Sequence, residues 1–151
     1  MKANPEVTIE IINLLKDFSK AVENRDIDAV MKLFATDADI VSVGSEERET
    51  AVGPEEYRKF LIRAFSRPVS FSWDWGWTLV SARDNNVAWV TAEGFVITRK
   101  VGNTIETRSP YRLSAVFERR NDRWFWMSYH GSEPAKKKVY GFRKASCVTK
   151  H

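Results

Sequence analysis

A chain of 151 residues, 43% hydrophobic and 29% charged, is the right size for one domain with its own core and is too apolar to stay disordered. Its formal net charge of +4 comes from Lys136, Lys137, Lys138, Arg143, Lys144 and Lys150 near the C-terminus, and the rest of the chain is close to neutral. A single cysteine, Cys147, excludes an internal disulfide, and no Cys/His pairs stand at the spacing of a metal site, so no metal is expected.

Asn4-Pro5-Glu6 is a helix start: a capping side chain, a proline whose missing N–H costs nothing at the first position, and an acid at the positive end of the dipole. Val7, Ile11, Leu14, Leu15, Phe18 and Val22 recur at three and four and predict an amphipathic helix to about Asn24. Asp26 caps a short second helix carrying Ile27, Val30, Leu33 and Phe34. The period then becomes that of a strand over Ala38 to Val43, followed by a polar loop, 44–49, of the kind found at a pocket mouth. Gly53-Pro54-Glu55-Glu56 opens a third helix with Tyr57, Phe60, Leu61, Ala64 and Phe65 facing inward, and Arg67-Pro68 ends it.

Beyond Val69 the chain turns β-branched and aromatic, with most of its six Trp, nine Phe and four Tyr. Turn signals at Asp84-Asn85-Asn86, Gly102-Asn103 and Asn121-Asp122 delimit four long strands, about 69–83, 86–100, 104–119 and 123–132, arranged as an antiparallel meander. Phe71, Trp73, Trp75, Trp77 and Leu79 alternate with Ser72, Asp74, Gly76 and Thr78, which predicts one aromatic face. Residues 135–151 lack periodicity and are read as a basic tail outside a domain of residues 1–134. No nucleic-acid-reading motif accompanies that tail, so a solvated terminus is the simpler expectation and nucleic acid is not an expected partner. The longest unbroken apolar runs, Val87 to Val90 and Trp124 to Met127, fall far short of the roughly 18 residues that span a bilayer. Met1 to Glu6 contain no apolar signal core, so the protein is expected to be soluble and cytoplasmic, with no membrane partner.

Helix-helix-strand-helix followed by four long strands is the order of the nuclear transport factor 2-like superfamily, a cone-shaped α+β fold shared with ketosteroid isomerases and SnoaL-like proteins. Asn86-Val87-Ala88-Trp89-Val90-Thr91-Ala92 resembles the mid-sheet strand of the SnoaL-like and ketosteroid-isomerase-like group. Arg112-Leu113-Ser114 and Trp124 are similar to its arginine-x-threonine strand and the tryptophan opening its last strand, and His130-Gly131-Ser132 resembles the histidine-x-serine that closes its sheet. The resemblance covers residues 5–134 and implies three N-terminal helices packed on a curved antiparallel sheet around an apolar cavity. It implies no single activity, because the superfamily holds isomerases, cyclases, dehydratases, oligomerisation modules and transport factors.

Carbon-acid chemistry in such a cavity needs a dry carboxylate or imidazole as base and a donor aimed at the developing enolate. The candidate bases are His130, Asp74 and Glu93; the candidate ligand-binding groups are Arg112, Tyr57, Tyr111 and Trp126. The resemblance puts Arg112 and His130 at the pocket, where they would orient an anionic or carbonyl-bearing ligand. Each has a plainer reading. Arg112 could pair with Glu93 or Asp74 within the sheet or a dimer interface, and His130 could bond backbone near a strand end. Asp74, between Trp73 and Trp75, points away from whichever side the aromatics take, and tyrosines and tryptophans are more often core or rim than ligand groups. Asp39 is expected in local pairing or a turn.

No tyrosine–aspartate oxyanion pair of the ketosteroid isomerases aligns with this chain, and no phosphate-binding glycine loop signals a cofactor. Two functions stay open: a small-molecule-binding protein with an apolar pocket, with or without isomerase, cyclase or dehydratase chemistry by proton transfer, and a non-catalytic oligomerisation or scaffold module similar to kinase association domains. Apolar residues on both faces of the later strands, with helices to cover only one, further predict a homodimer.

Overall fold

The capping signals act where the sequence places them. In the computed structural model, which describes residues 1–136, Asn4 Oδ1 accepts the Val7 N–H at 2.8 Å to open α1 (Pro5–Glu23). Asp26 accepts the Ala29 N–H at 3.0 Å to open α2 (Ile27–Leu33). In α3 (Gly53–Ser66) the Glu56 carboxylate reaches back to accept the Val52 N–H at 2.8 Å. Val7, Ile11, Leu15, Phe18 and Val22 of α1 and Tyr57, Leu61 and Phe65 of α3 form the buried stripes. Nearly all of the basic tail, from residue 137, lies outside the described residues.

Six strands follow the order β2-β1-β6-β5-β4-β3 in one open sheet: β1 (Val41–Val43), β2 (Thr50–Val52), β3 (Val69–Arg83), β4 (Val87–Lys100), β5 (Glu106–Arg120) and β6 (Arg123–Ser132). The expected α+β architecture of three helices on a curved sheet is present, with two differences. The strand expected from Ala38 begins only at Val41, because Ala38 and Asp39 form a turn. The loop at 44–49 is the tip of a hairpin whose second strand, β2, is too short to leave a period in the sequence. The meander of β3 to β6 is antiparallel as predicted, while β1 joins β6 in parallel.

The inner face carries Val90, Ala92, Leu113, Ala115, Phe117 and Trp126 beneath the helices. The predicted run of aromatics on one side of β3 is interrupted. Trp75 pairs with Gly94 and Trp77 with Glu93, so Gly76 is an unpaired bulge residue. One inserted residue reverses the alternation. Phe71, Trp73 and Trp75 therefore pack on the core, whereas Trp77 and Leu79 emerge on the outer face, 51% and 42% exposed. The bulge brings backbone against Gly94, where a Cβ would stand 2.1 Å from the Asp74 carbonyl oxygen and 2.8 Å from Trp75 Cα.

Because the obstructing atoms are backbone, Gly94→Ala is expected to destabilise the fold by about 1–3 kcal/mol, the usual cost of overpacking. Gly76→Ala, whose Cβ would meet nothing nearer than the Glu93 carbonyl oxygen at 3.9 Å, is expected to cost far less. Urea unfolding of the two variants against the parent checks the contrast.

Candidate functional site

The inward face of α3, the β1–β2 hairpin and the inner face of the sheet enclose a cavity of about 370 Å³. Its walls are mainly aromatic: Phe18 from α1, Tyr57, Phe60 and Phe65 from α3, Phe71 and Trp73 from β3. Exposed Ser45, Glu46, Arg67 and Glu133, with half-buried Glu49, mark its mouth. Three neutral hydroxyl groups lie deeper. Tyr57 sits beside Ser42, while Tyr111 from β5 and Tyr129 from β6 share one hydrogen bond at 2.8 Å between their hydroxyl oxygens.

That pair depends on Gly131. A Cβ there would stand 1.9 Å from the Tyr111 hydroxyl oxygen and 2.6 Å from the ring carbon bearing it. Two phenols bring two O–H donors to a single shared bond, so one donor remains for a third group, with Ser45 beside Tyr111 and any ligand oxygen competing for it. Burial pushes all three hydroxyls above the ordinary tyrosine range. The nearby Glu49 charge adds to this at Tyr111 and Tyr129, and Ser42 works against it at Tyr57.

The structure divides the residues singled out from the sequence. Tyr57 and Tyr111 line the cavity. Trp126 lies outside that lining, fully buried between Phe18, Phe34 and Phe117. Asp74, Glu93, Arg112 and His130 are exposed on the outer face, where Arg112 Nε donates to Glu93 at 3.1 Å and Arg108 to Asp74 at 2.7 Å. Adjacent strand residues face opposite ways, so Tyr111 and Arg112 cannot both enter the cavity, and the buried phase of β5 through Leu113, Ala115 and Phe117 belongs to Tyr111. By the same rule His130 faces out and its neighbours Tyr129 and Gly131 face in. Tyr129 and Gly131 escaped the sequence reading: alternation counted from Trp124 and Trp126 would turn Ser128 and His130 inward, but Val116 pairs with Ser128 and Phe117 with Trp126, so Met127 is unpaired and the phase of β6 reverses there. Glu49 was foreseen only as part of the 44–49 loop.

Among the described residues no cluster of His, Cys, Asp and Glu could hold a metal ion, and no helix is long and apolar enough to cross a membrane. A family described as the SnoaL-like domain matches residues 11–136. No curated protein matches the sequence. Among solved structures, a candidate dehydratase of the NTF2-like family from Streptomyces avermitilis has a TM-score of 0.74 at 18% identity, covering 88% of this chain and 100% of that one. A candidate aromatic ring hydroxylase from Novosphingobium aromaticivorans has a TM-score of 0.75 at 18% identity, covering 89% and 94%. A Catenulispora acidiphila protein in complex with S-DNPA has a TM-score of 0.72 at 16% identity, covering 86% and 95%. At these identities the likeness is one of fold.

The buried tyrosines make alkaline stability a readout of the cavity. A phenol whose folded pKa is raised stabilises the native state fully below its unfolded value, about 10, and that contribution is lost as pH rises from there through the folded value. Tyr57, Tyr111 and Tyr129 are each expected to ionise in the native protein only at a higher pH than the free phenol, about 10, and to ionise more readily once the chain unfolds, as absorbance at 295 nm would record. Early ionisation of any of the three would place its hydroxyl in water.

Proposed function

The chain belongs to the SnoaL-like domain family, and on that footing we propose that its cavity binds a small, flat, largely apolar organic molecule with an oxygen acceptor at the Tyr111–Tyr129 pair. The observation that carries this reading is the pair itself, a buried donor left over in an aromatic cavity of about 370 Å³. Such a volume suits a compact organic ligand, and a few fixed donors in apolar walls are what orient one. The candidate dehydratase name of one structural neighbour and the bound small molecule of another support the same direction.

Proton-transfer chemistry of the isomerase, cyclase or dehydratase kind fits this arrangement. The tyrosine donor would stabilise charge developing on a ligand oxygen, and Glu49, whose carboxylate accepts the Glu46 N–H at 3.1 Å, would serve as base at the mouth. No cofactor enters this scheme. A cytoplasmic location belongs to the same proposal, supported by the single cysteine.

A second reading, a non-catalytic oligomerisation module, is favoured by the outer sheet face. Trp77, Leu79, Trp89, Phe95 and Val116 are each more than a third exposed there, beside the Arg112–Glu93 and Arg108–Asp74 pairs. A face with both apolar area and equal numbers of opposite charges in those pairs can meet its own copy about a two-fold axis. We assign Asp74, Glu93, Arg112 and His130 to this homodimer face. The two readings share the dimer and differ in ligand response.

Tyr111→Phe is expected to weaken binding of 2-acetylnaphthalene by about 0.5–1.5 kcal/mol, the net worth of one neutral hydrogen bond, and to leave naphthalene binding nearly unchanged. Calorimetric titration of both probes checks this, and a protein whose melting temperature responds to neither favours the oligomerisation module. Light scattering is expected to give twice the 17.4 kDa chain mass, falling to the single mass in Trp77→Arg. A clean monomer for the unaltered chain would remove the dimer from both readings.

A further inference from the structure

The cavity mouth is unbalanced in charge. Among the described residues, Glu46, Glu49 and Glu133 line it against one cation, Arg67. Among the described residues none of the three carboxylates forms an ion pair. Arg67 lies over the Phe71 ring, 6.0 Å from its centroid, so part of its field is engaged by that face. Glu49 is not a loose surface acid: its carboxylate accepts the Glu46 N–H, and its carbonyl accepts the Gly44 N–H at 2.8 Å across the hairpin.

The carboxylates alone would make no site; the aromatic cavity beneath them does. We propose that the mouth selects ligands by charge, so that the cavity takes an aromatic body bearing a protonated amine and discriminates against the matching carboxylate. This rests on the reading of the cavity as a ligand site. Two features act together. A cation at the mouth meets the carboxylates of Glu46, Glu133 and the backbone-held Glu49, above a wall that includes the electron-rich ring of Trp73. An anion at the same place meets the field of Glu49 and Glu133 that already opposes charge on Tyr111. The spare tyrosine donor remains available to a neutral ligand oxygen deeper in, so the selection concerns the end of the ligand that faces water.

Three probes on one two-ring skeleton separate the outcomes: 2-naphthylmethylammonium, 2-acetylnaphthalene and 2-naphthoate, titrated calorimetrically into the full chain at low ionic strength. The ammonium compound is expected to bind at least about tenfold more tightly than the carboxylate, with the ketone between them and the gap shrinking as salt screens the mouth. Glu49→Gln combined with Glu133→Gln, checked for folding by circular dichroism, is expected to reduce the gap to about threefold or less. Carboxylate binding as tight as the amine, lost in Arg67→Gln, would assign the mouth to anions and overturn the inference while leaving the ligand site standing. A gap that survives the double replacement would also overturn it. Failure of all three probes to bind would overturn the ligand-site reading and the charge selection together.

Discussion

Trp126 has no exposed surface, and α1, α2 and α3 are all tied to the sheet through the rings around it. Phe18 of α1 lies 4.8 Å from it between centroids, Phe34 at the end of α2 5.7 Å, and Phe117 of β5 4.7 Å. Phe34 in turn touches Tyr57 of α3 at 4.5 Å, and Phe18 reaches Trp73 of β3 at 5.4 Å and Tyr129 of β6 at 5.5 Å. Burial of side chains of this size is worth roughly 1.5–3 kcal/mol each, with aromatic geometry adding to it. The indole N–H of Trp126 has no partner among the described residues. Leaving such a donor unpaired costs about 1–3 kcal/mol, so packing outweighs polar satisfaction at the centre of this core.

The same rings that hold the helices down form the cavity wall, since Phe18, Tyr57, Trp73 and Tyr129 belong to both. Stability and ligand shape are therefore not separable here: a change that loosens the stack also moves the wall. Polar clips at the periphery keep the layers in register. Trp124 Nε1 donates to Glu10 at 2.7 Å, joining β6 to α1, and Arg120 binds both Asp37 and Glu118. The exposed ion pairs of the outer face contribute little to folding by comparison.

The bulge at Gly76, the register shift at Met127 and the alternation of the strands between them sort the chemistry. They send the tyrosine hydroxyls and core aromatics to one side, and Trp77, Leu79 and the Arg112–Glu93 pair to the other. The cavity is left with neutral donors at depth and mostly carboxylates at its rim. Such an interior handles a neutral oxygen well and leaves charge discrimination to the mouth, where solvent is near and the Glu49 carboxylate is held by backbone.

Local signals alone determined the helix starts at Asn4 and Asp26, the third helix after Gly53-Pro54, the turns between the long strands, and hence the order of elements and the α+β class. These are short-range matters of capping, fixed φ and period, and the chain carries them residue by residue. Three choices needed the tertiary structure. The three-residue strand β2 is too short to show a period; it exists because β1 pairs with it. The bulge at Gly76 is set by how β3 meets β4 at Gly94, a contact across the sheet. Above all, while in β6 the register shift at Met127 breaks the alternation itself, in β5 alternation told which residues share a face, Arg112 with Ser114 and Tyr111 with Leu113, and not which face turns inward. That depends on where the helices come to rest, a packing decision made by Phe18, Phe34 and Tyr57 far away in sequence against Trp126, and it is what put Tyr111, Tyr129 and Gly131 at the cavity and Arg112 and His130 outside it.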